Sequence, residues 1–149
     1  EGPMSPERAG TLPTGELINL CFSGRFTREE LLRRVSGHAG LVAYLGTTDM
    51  KEILARIEAG DEQARLVVDA MIFQIAKAIG AEATVLYGKV DAILITGGMA
   101  YAPYITQRIR ERVRFIAPVA VFPGQDEMQA LAINALGALR GEFEVKTYA

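Results

Sequence analysis

The chain has one cysteine, one histidine and no tryptophan. Cys21 has no partner for an internal disulfide, which fits a reducing compartment and gives the expectation of a cytoplasmic protein. Even with His38 it falls short of the ligand set of a zinc site. No Ser-His-Asp or Cys-His arrangement can be built beyond that one imidazole, so nucleophilic hydrolysis has no evident machinery. A basic excess is lacking too. Sixteen Lys and Arg against 18 Asp and Glu leave a net charge of −2, and no positive field exists to carry nonspecific nucleic-acid binding. No uncharged stretch reaches the roughly 18 residues of a membrane span, and nothing reads as a signal peptide. Neither a nucleic acid nor a membrane is therefore expected as a partner. The two common nucleotide fingerprints, G-x-G-x-x-G and G-x-x-x-x-G-K-[ST], are absent. So is an opening methionine: the chain starts at Glu1, which suggests a piece of something longer.

What is present is half apolar and 23% charged over 149 residues, with mean hydropathy +0.17. That is enough for one folded domain with its own core, and it excludes a disordered chain. Residues 1–16 hold three of the six prolines, with Gly2, Gly10 and Gly15 among them. They predict an extended amino-terminal segment whose sole cation is Arg8. Residues 17–149 form the domain proper. Leu17–Phe22 reads as a short helix closed by Ser23-Gly24. Thr27 with Glu30 is a capping-box signature opening a helix that carries Leu31, Leu32 and Val35.

The run from Gly40 to Gly46, apolar between two glycines, is expected to be a buried strand. Thr47, Thr48 and Asp49 supply cap chemistry for a helix through Ile57. A long helix follows from Asp61 to about Leu86. Its polar stripe is so thin that burial on all sides is expected, at the centre of the domain or in a subunit contact. Val90–Thr96 and Pro118–Phe122 read as strands. Each is broken by glycine and followed by a helix, one marked by Tyr101, Ile105, Ile109 and Val113 and the other by Leu131, Leu136 and Leu139. Strand, helix, strand, helix in this rhythm implies a parallel, right-handed crossover in a helix-rich α/β domain.

Several residues carry possible chemistry. Thr96-Gly97-Gly98-Met99-Ala100 ends a strand before a helix, where ligands of open α/β sheets bind, although a plain tight turn needs the same glycines. Gly124-Gln125-Asp126-Glu127 puts acids in a helix's first turn, which suits either the helix dipole or a metal-bound water. Arg8, fixed between prolines, is either a solvated cation or a clamp for a phosphoryl group. Arg108, Arg110, Arg112 and Arg114, with Glu111 among them, are expected to form a solvated helix face. Tyr44, Phe73 and Tyr87 are expected in the core rather than on a base-stacking platform.

Four segments together resemble the butyrate kinases, within the acetate-kinase group of the actin, sugar-kinase and Hsp70 superfamily. They are EGPMSPERAG (1–10), GLVAYLGTTD (40–49), AILITGGMAY (92–101) and FPGQDEMQALA (122–132). The resemblance runs in order along essentially the whole chain. Acetate kinase itself is a poorer match, because its adenosine loop carries a Gly-Ile-Gly-Glu-Asn type of sequence. The resemblance implies a ribonuclease-H-like (actin-like ATPase) α/β domain, the carboxyl-terminal of two. It implies reversible phosphoryl transfer between ATP and a short-chain carboxylate, giving an acyl phosphate and ADP. By matching segments, Gly97, Gly98, Met99, Ala100 and Tyr101 would form the adenosine loop, and Asp49, Met50 and Lys51 would add nucleotide contacts. Glu127 would help hold Mg²⁺ through water, and Arg8 would steady the transferring group. The Lys51 position is often arginine in acetate kinases.

Phosphoryl transfer asks a protein mainly for in-line placement and charge neutralisation. A carboxylate acceptor is already ionised at neutral pH, so a catalytic histidine is not required. The amino-terminal domain and the two glycine-rich phosphate loops of the butyrate kinases are missing here. The chain alone is therefore expected to be inactive or nearly so, with that domain as its natural partner. Members of the group dimerise through this domain, so a homo-oligomer is also expected. The alternatives are a non-catalytic nucleotide-binding or assembly module, and another kinase of the superfamily acting on acetate, propionate or a sugar.

Overall fold

A computed structural model describes residues 2–124, 127–143 and 145. Among the described residues seven helices and two strands follow one another as α1 (Thr14–Cys21), α2 (Arg28–Val35), α3 (Leu41–Leu45), α4 (Met50–Glu58), α5 (Glu62–Val85), β1 (Ile93–Gly97), α6 (Pro103–Val113), β2 (Val119–Pro123) and α7 (Glu127–Leu139). A single 3-10 turn, Gly98–Tyr101, joins β1 to α6. The strands pair in parallel, Ile93 opposite Val119 and Gly97 opposite Pro123. The core lies where α4, α5 and α6 meet the sheet. Its fully buried members include Leu41, Ile53, Val68, Met71, Ile72, Ile105 and Val113. No helix among the described residues is long and apolar enough to cross a membrane.

Local chemistry sets most helix starts. Thr27 Oγ1 accepts from the Glu30 N–H and Glu30 accepts from the Thr27 N–H, the full capping box of α2. Asp61 caps α5 by accepting from the Ala64 N–H at 2.9 Å. The same carboxylate takes Nε of Arg56 at 2.9 Å, and Arg56 also donates to the Leu45 carbonyl at 2.8 Å. One arginine thus fastens the ends of α3 and α4 to the start of α5. Pro103 stands at the first position of α6, where its missing N–H costs nothing. On the α5–α6 seam, Tyr104 donates to Asp69 at 3.2 Å and Arg108 lies 3.3 Å from the same oxygen. The Arg108 guanidinium sits 3.6 Å from the Tyr104 ring centre. Burial, and secondly the Asp69 carboxylate, push the Tyr104 phenol above its ordinary range.

Three expectations are corrected. Residues 41–45 form a helix and not a strand. Their first free N–H groups find acceptors in a distant loop: Leu41 N–H donates to Ser5 O at 3.2 Å and Val42 N–H to Pro6 O at 3.0 Å. Leu41 and Leu45, one helical turn apart, then point into the core. The long helix α5 is not covered on all sides. Ala64, Val67, Val68, Met71 and Ile72 are buried, whereas Leu66, Phe73 and Val85 are exposed. Nor are the three aromatics in the core: Tyr44 is 61%, Phe73 49% and Tyr87 92% exposed. Tyr44 falls outside the Leu41–Leu45 stripe, and Phe73 lies between the Lys77 and Arg112 cations. Tyr87 follows the end of α5 at φ +54. Likewise Leu131, Leu136 and Leu139 of α7 share helical spacing but remain exposed in this chain.

Candidate functional site

The carboxyl ends of β1 and β2 are zipped together beyond their last parallel pair. Gly97 N–H donates to Gly124 O at 3.1 Å, Gly124 N–H donates back to Gly97 O at 3.2 Å, and the Thr96 hydroxyl reaches Gly124 O at 3.3 Å. From that point the chain enters the 3-10 turn and then α6. Ala100 is buried and Met99 packs against the core, so these two side chains anchor the turn from below. Gly98 and Tyr101 are left facing outward. A Cβ placed on Gly98 would meet nothing within 4 Å, so the backbone there is open to approach.

The opposing wall comes from α4. Asp49 caps this helix, accepting from the Lys51 N–H at 2.8 Å, while the Asp49 N–H donates to Thr47 Oγ1 at 3.1 Å. The cap orients the first turn so that Met50, Lys51 and Leu54 face Gly98, Tyr101, Ala102 and Pro103 across a cleft of about 480 Å³. That size suits a small-molecule ligand. Its walls are mostly apolar, with Lys51 and the Tyr101 hydroxyl as the polar side-chain groups of its lining, which suits a flat organic body carrying a nearby negative charge. Met50, Lys51, Gly98 and Tyr101, named from sequence, are thus brought together. Leu54, Ala102 and Pro103 were missed, although Leu54 could have been found one helical turn from Met50 and Lys51.

Arg8 does not line this cleft. It is exposed, in a loop closed by Ser5: Ser5 N–H donates to Arg8 O at 3.1 Å and Arg8 N–H to Ser5 Oγ at 3.1 Å. The loop is bridged to Ser36 and fastened to the start of α3. Gly40, at φ +63, allows this fastening, since a Cβ there would fall 1.9 Å from Ser5 O. Among the described residues Arg8 pairs with no carboxylate. Gln125 and Asp126 lie outside the described residues. Glu127 opens α7, and its side chain lies outside the described set as well.

Comparison with known proteins completes the picture. Residues 1–120 match the Acetokinase family. The chain is 62% identical over 148 residues to a probable butyrate kinase of Bacteroides thetaiotaomicron, covering 99% of this chain and 42% of that protein. The crystal structure of Porphyromonas gingivalis acetate kinase superposes with a TM-score of 0.80 at 22% identity, over 93% of this chain and 41% of that one. Entamoeba histolytica acetate kinase gives 0.77 at 20%, over 91% and 43%. A propionate kinase from Francisella tularensis subsp. tularensis gives 0.73 at 18%, over 84% and 38%. At those identities the solved structures establish a shared fold, the actin-like ATPase fold expected from sequence. The chain spans about two-fifths of the length of the curated relative it matches.

Proposed function

The chain belongs to the acetokinase family, and from that membership we propose that it is the nucleotide-binding part of a carboxylate kinase. The reaction is reversible phosphoryl transfer between ATP and a short-chain carboxylate, with butyrate the first choice on the likeness to a probable butyrate kinase. The observation that carries this reading is the cleft, which sets Met50 and Lys51 against Gly98 and Tyr101 across 47 or more residues of sequence. The adenosine lies against the 3-10 turn, close to the backbone at Gly97 and Gly98, with the Tyr101 ring as one wall. Lys51 faces the nucleotide's negative charge, and Asp49 acts by fixing the turn that presents Lys51. Arg8, held rigidly by its loop but free of any described carboxylate, steadies the transferring group once the remainder of the enzyme closes over it.

Among the described residues no three His, Cys, Asp or Glu side chains converge as a metal cage. Mg²⁺ in kinases takes most of its ligands from phosphate and water, with only one or two carboxylates. Glu127, three residues beyond the zipped strand ends, fits that single role. When bound, the ion neutralises charge on the phosphates. The acyl pocket is shared with, and most phosphate contacts come from, the domain expected to precede this chain; the chain spans 42% of the relative's length. A cytoplasmic setting accords with the free, exposed Cys21.

Calorimetric titration of the chain with MgADP tests the reading, and saturable binding is expected. Its absence would remove the nucleotide assignment from these residues. For a full-length protein carrying this chain, butyrate and MgATP should yield hydroxylamine-trappable acyl phosphate; no product from any short carboxylate would sink the kinase reading. A second reading, assembly, is favoured by the exposed half of α5 and the apolar residues left open on α7. Light scattering decides it, and a clean monomer across the micromolar range would count against it.

A further inference from the structure

Gly124 has no place in the cleft, yet it touches a residue that does. Its φ is +111, and a Cβ built on it would lie 2.8 Å from the Tyr101 hydroxyl and 3.6 Å from the ring carbon that bears it. The tip of the tyrosine therefore rests against bare backbone of the second strand-end loop. Gly124 cannot readily yield, because it is tied to Gly97 by two hydrogen bonds and to the Thr96 hydroxyl by a third. The ring can, since Tyr101 is 69% exposed and hinges on two side-chain torsions. A side chain at 124 would thus move the ring and not the loop, and the open space beside the ring is the cleft it lines.

We propose that Gly124 is a positioning residue for the nucleotide site: the absence of its side chain lets Tyr101 lie back over the second loop and keeps the cleft at full width. The inference rests on the reading of that cleft as the nucleotide site. It also ties the setting of Tyr101 to the segment that continues to Glu127. Gly124 differs in this from Gly98, whose missing side chain leaves room for ligand directly.

The test is a double-mutant cycle in the full chain, Gly124→Ala with and without Tyr101→Phe, read by calorimetry with MgADP. With Tyr101 present, Gly124→Ala should weaken binding about tenfold. In the Tyr101→Phe background the same change should cost less than about twofold, because the nearest ring carbon then stands at 3.6 Å, an ordinary contact. Equal losses in both backgrounds would assign the effect to backbone strain at φ +111 and overturn the proposal. Gly124→Ser, which places the same Cβ at the same φ, should reproduce the alanine loss; wild-type affinity in a folded Ser variant would overturn it too. A second readout needs no nucleotide. In ¹³C-tyrosine-labelled protein the Tyr101 ring signal, identified by its loss in Tyr101→Phe, should shift in both Gly124 variants, and an unmoved signal refutes the contact. If the wild-type chain binds no MgADP, the function reading fails while the ring signal still decides whether Gly124 positions Tyr101.

Discussion

Gly98 and Asp49 serve the same cleft by opposite means, one by having no side chain and the other by using its own. A Cβ on Gly98 finds open space, so Gly98→Val should fold normally while its branched side chain occupies the ligand's approach. Affinity for MgADP is expected to fall about tenfold or more, a loss of roughly 1.4 kcal/mol, with the melting temperature nearly unchanged. Undiminished affinity would take the glycine pair out of the site. Asp49→Ala removes the acceptor of the Lys51 N–H. It should cost about 1 kcal/mol in urea unfolding, as loss of a helix cap does, and weaken nucleotide binding through Lys51. A variant as stable as wild type would show that the cap is not holding the turn. In a full-length protein, Arg8→Ala should lower kcat more than it raises KM for nucleotide, since its place is with the transferring group; a normal kcat would overturn that role.

Helix α2 is held at its start by the reciprocal Thr27–Glu30 pair and buries none of its residues. Its start is therefore open to pH. The Thr27 N–H donating to the Glu30 carboxylate, first, and the Thr27 side chain, second, hold that carboxyl below its ordinary value. A depressed pKa means that the cap contributes stability above the unfolded carboxyl's pKa, about 4.3, and that this is lost as pH falls through the folded value. Asp61, lowered by the Ala64 N–H and then by Arg56, behaves with the same sign at the start of α5. Amide signals of Thr27 and Glu30 followed by NMR should titrate together on acidification, with α2 fraying before the core does. In Glu30→Gln that acid transition should vanish; a Thr27 amide that still titrates as before would refute the assignment. The contrast with α4 is instructive, because α4 has both a cap and the fully buried Ile53.

The core of the whole chain is concentrated between α4, α5, α6 and one face of a two-stranded sheet, and Ile53 and Ile105 sit at its centre. Ile53→Ala should cost about 2–5 kcal/mol in urea unfolding, a large share of the roughly 5–15 kcal/mol that holds a domain together. A cost under about 1 kcal/mol would mean that the site collapses around the smaller side chain.

Much of this architecture was legible in the sequence where the governing interactions are local. The signals at Thr27, Asp49 and Asp61 and the two apolar runs ended by glycine each act within a few residues, and each element stands where its signal lies. In the candidate site, Gly98 stood out as one of a glycine pair at a strand's end, whereas Lys51 was named only by the resemblance to the butyrate kinases. What lay beyond the sequence depends on partners far along the chain. Residues 41–45 have the composition of a strand, but Ser5 and Pro6, more than 30 positions away, supply the acceptors that make them a helix. Tyr44, Phe73 and Tyr87 are apolar enough for a core, but which side chains enter it is a property of packing, and these three stay exposed. Short-range hydrogen bonding and periodicity therefore settled most of the elements, but not the helix at 41–45. Only the packing of α4 against the turn after β1 decided that Met50 and Lys51 would share a cleft with Gly98 and Tyr101, and only the zipped strand ends decided that Gly124 would lie beneath the tyrosine.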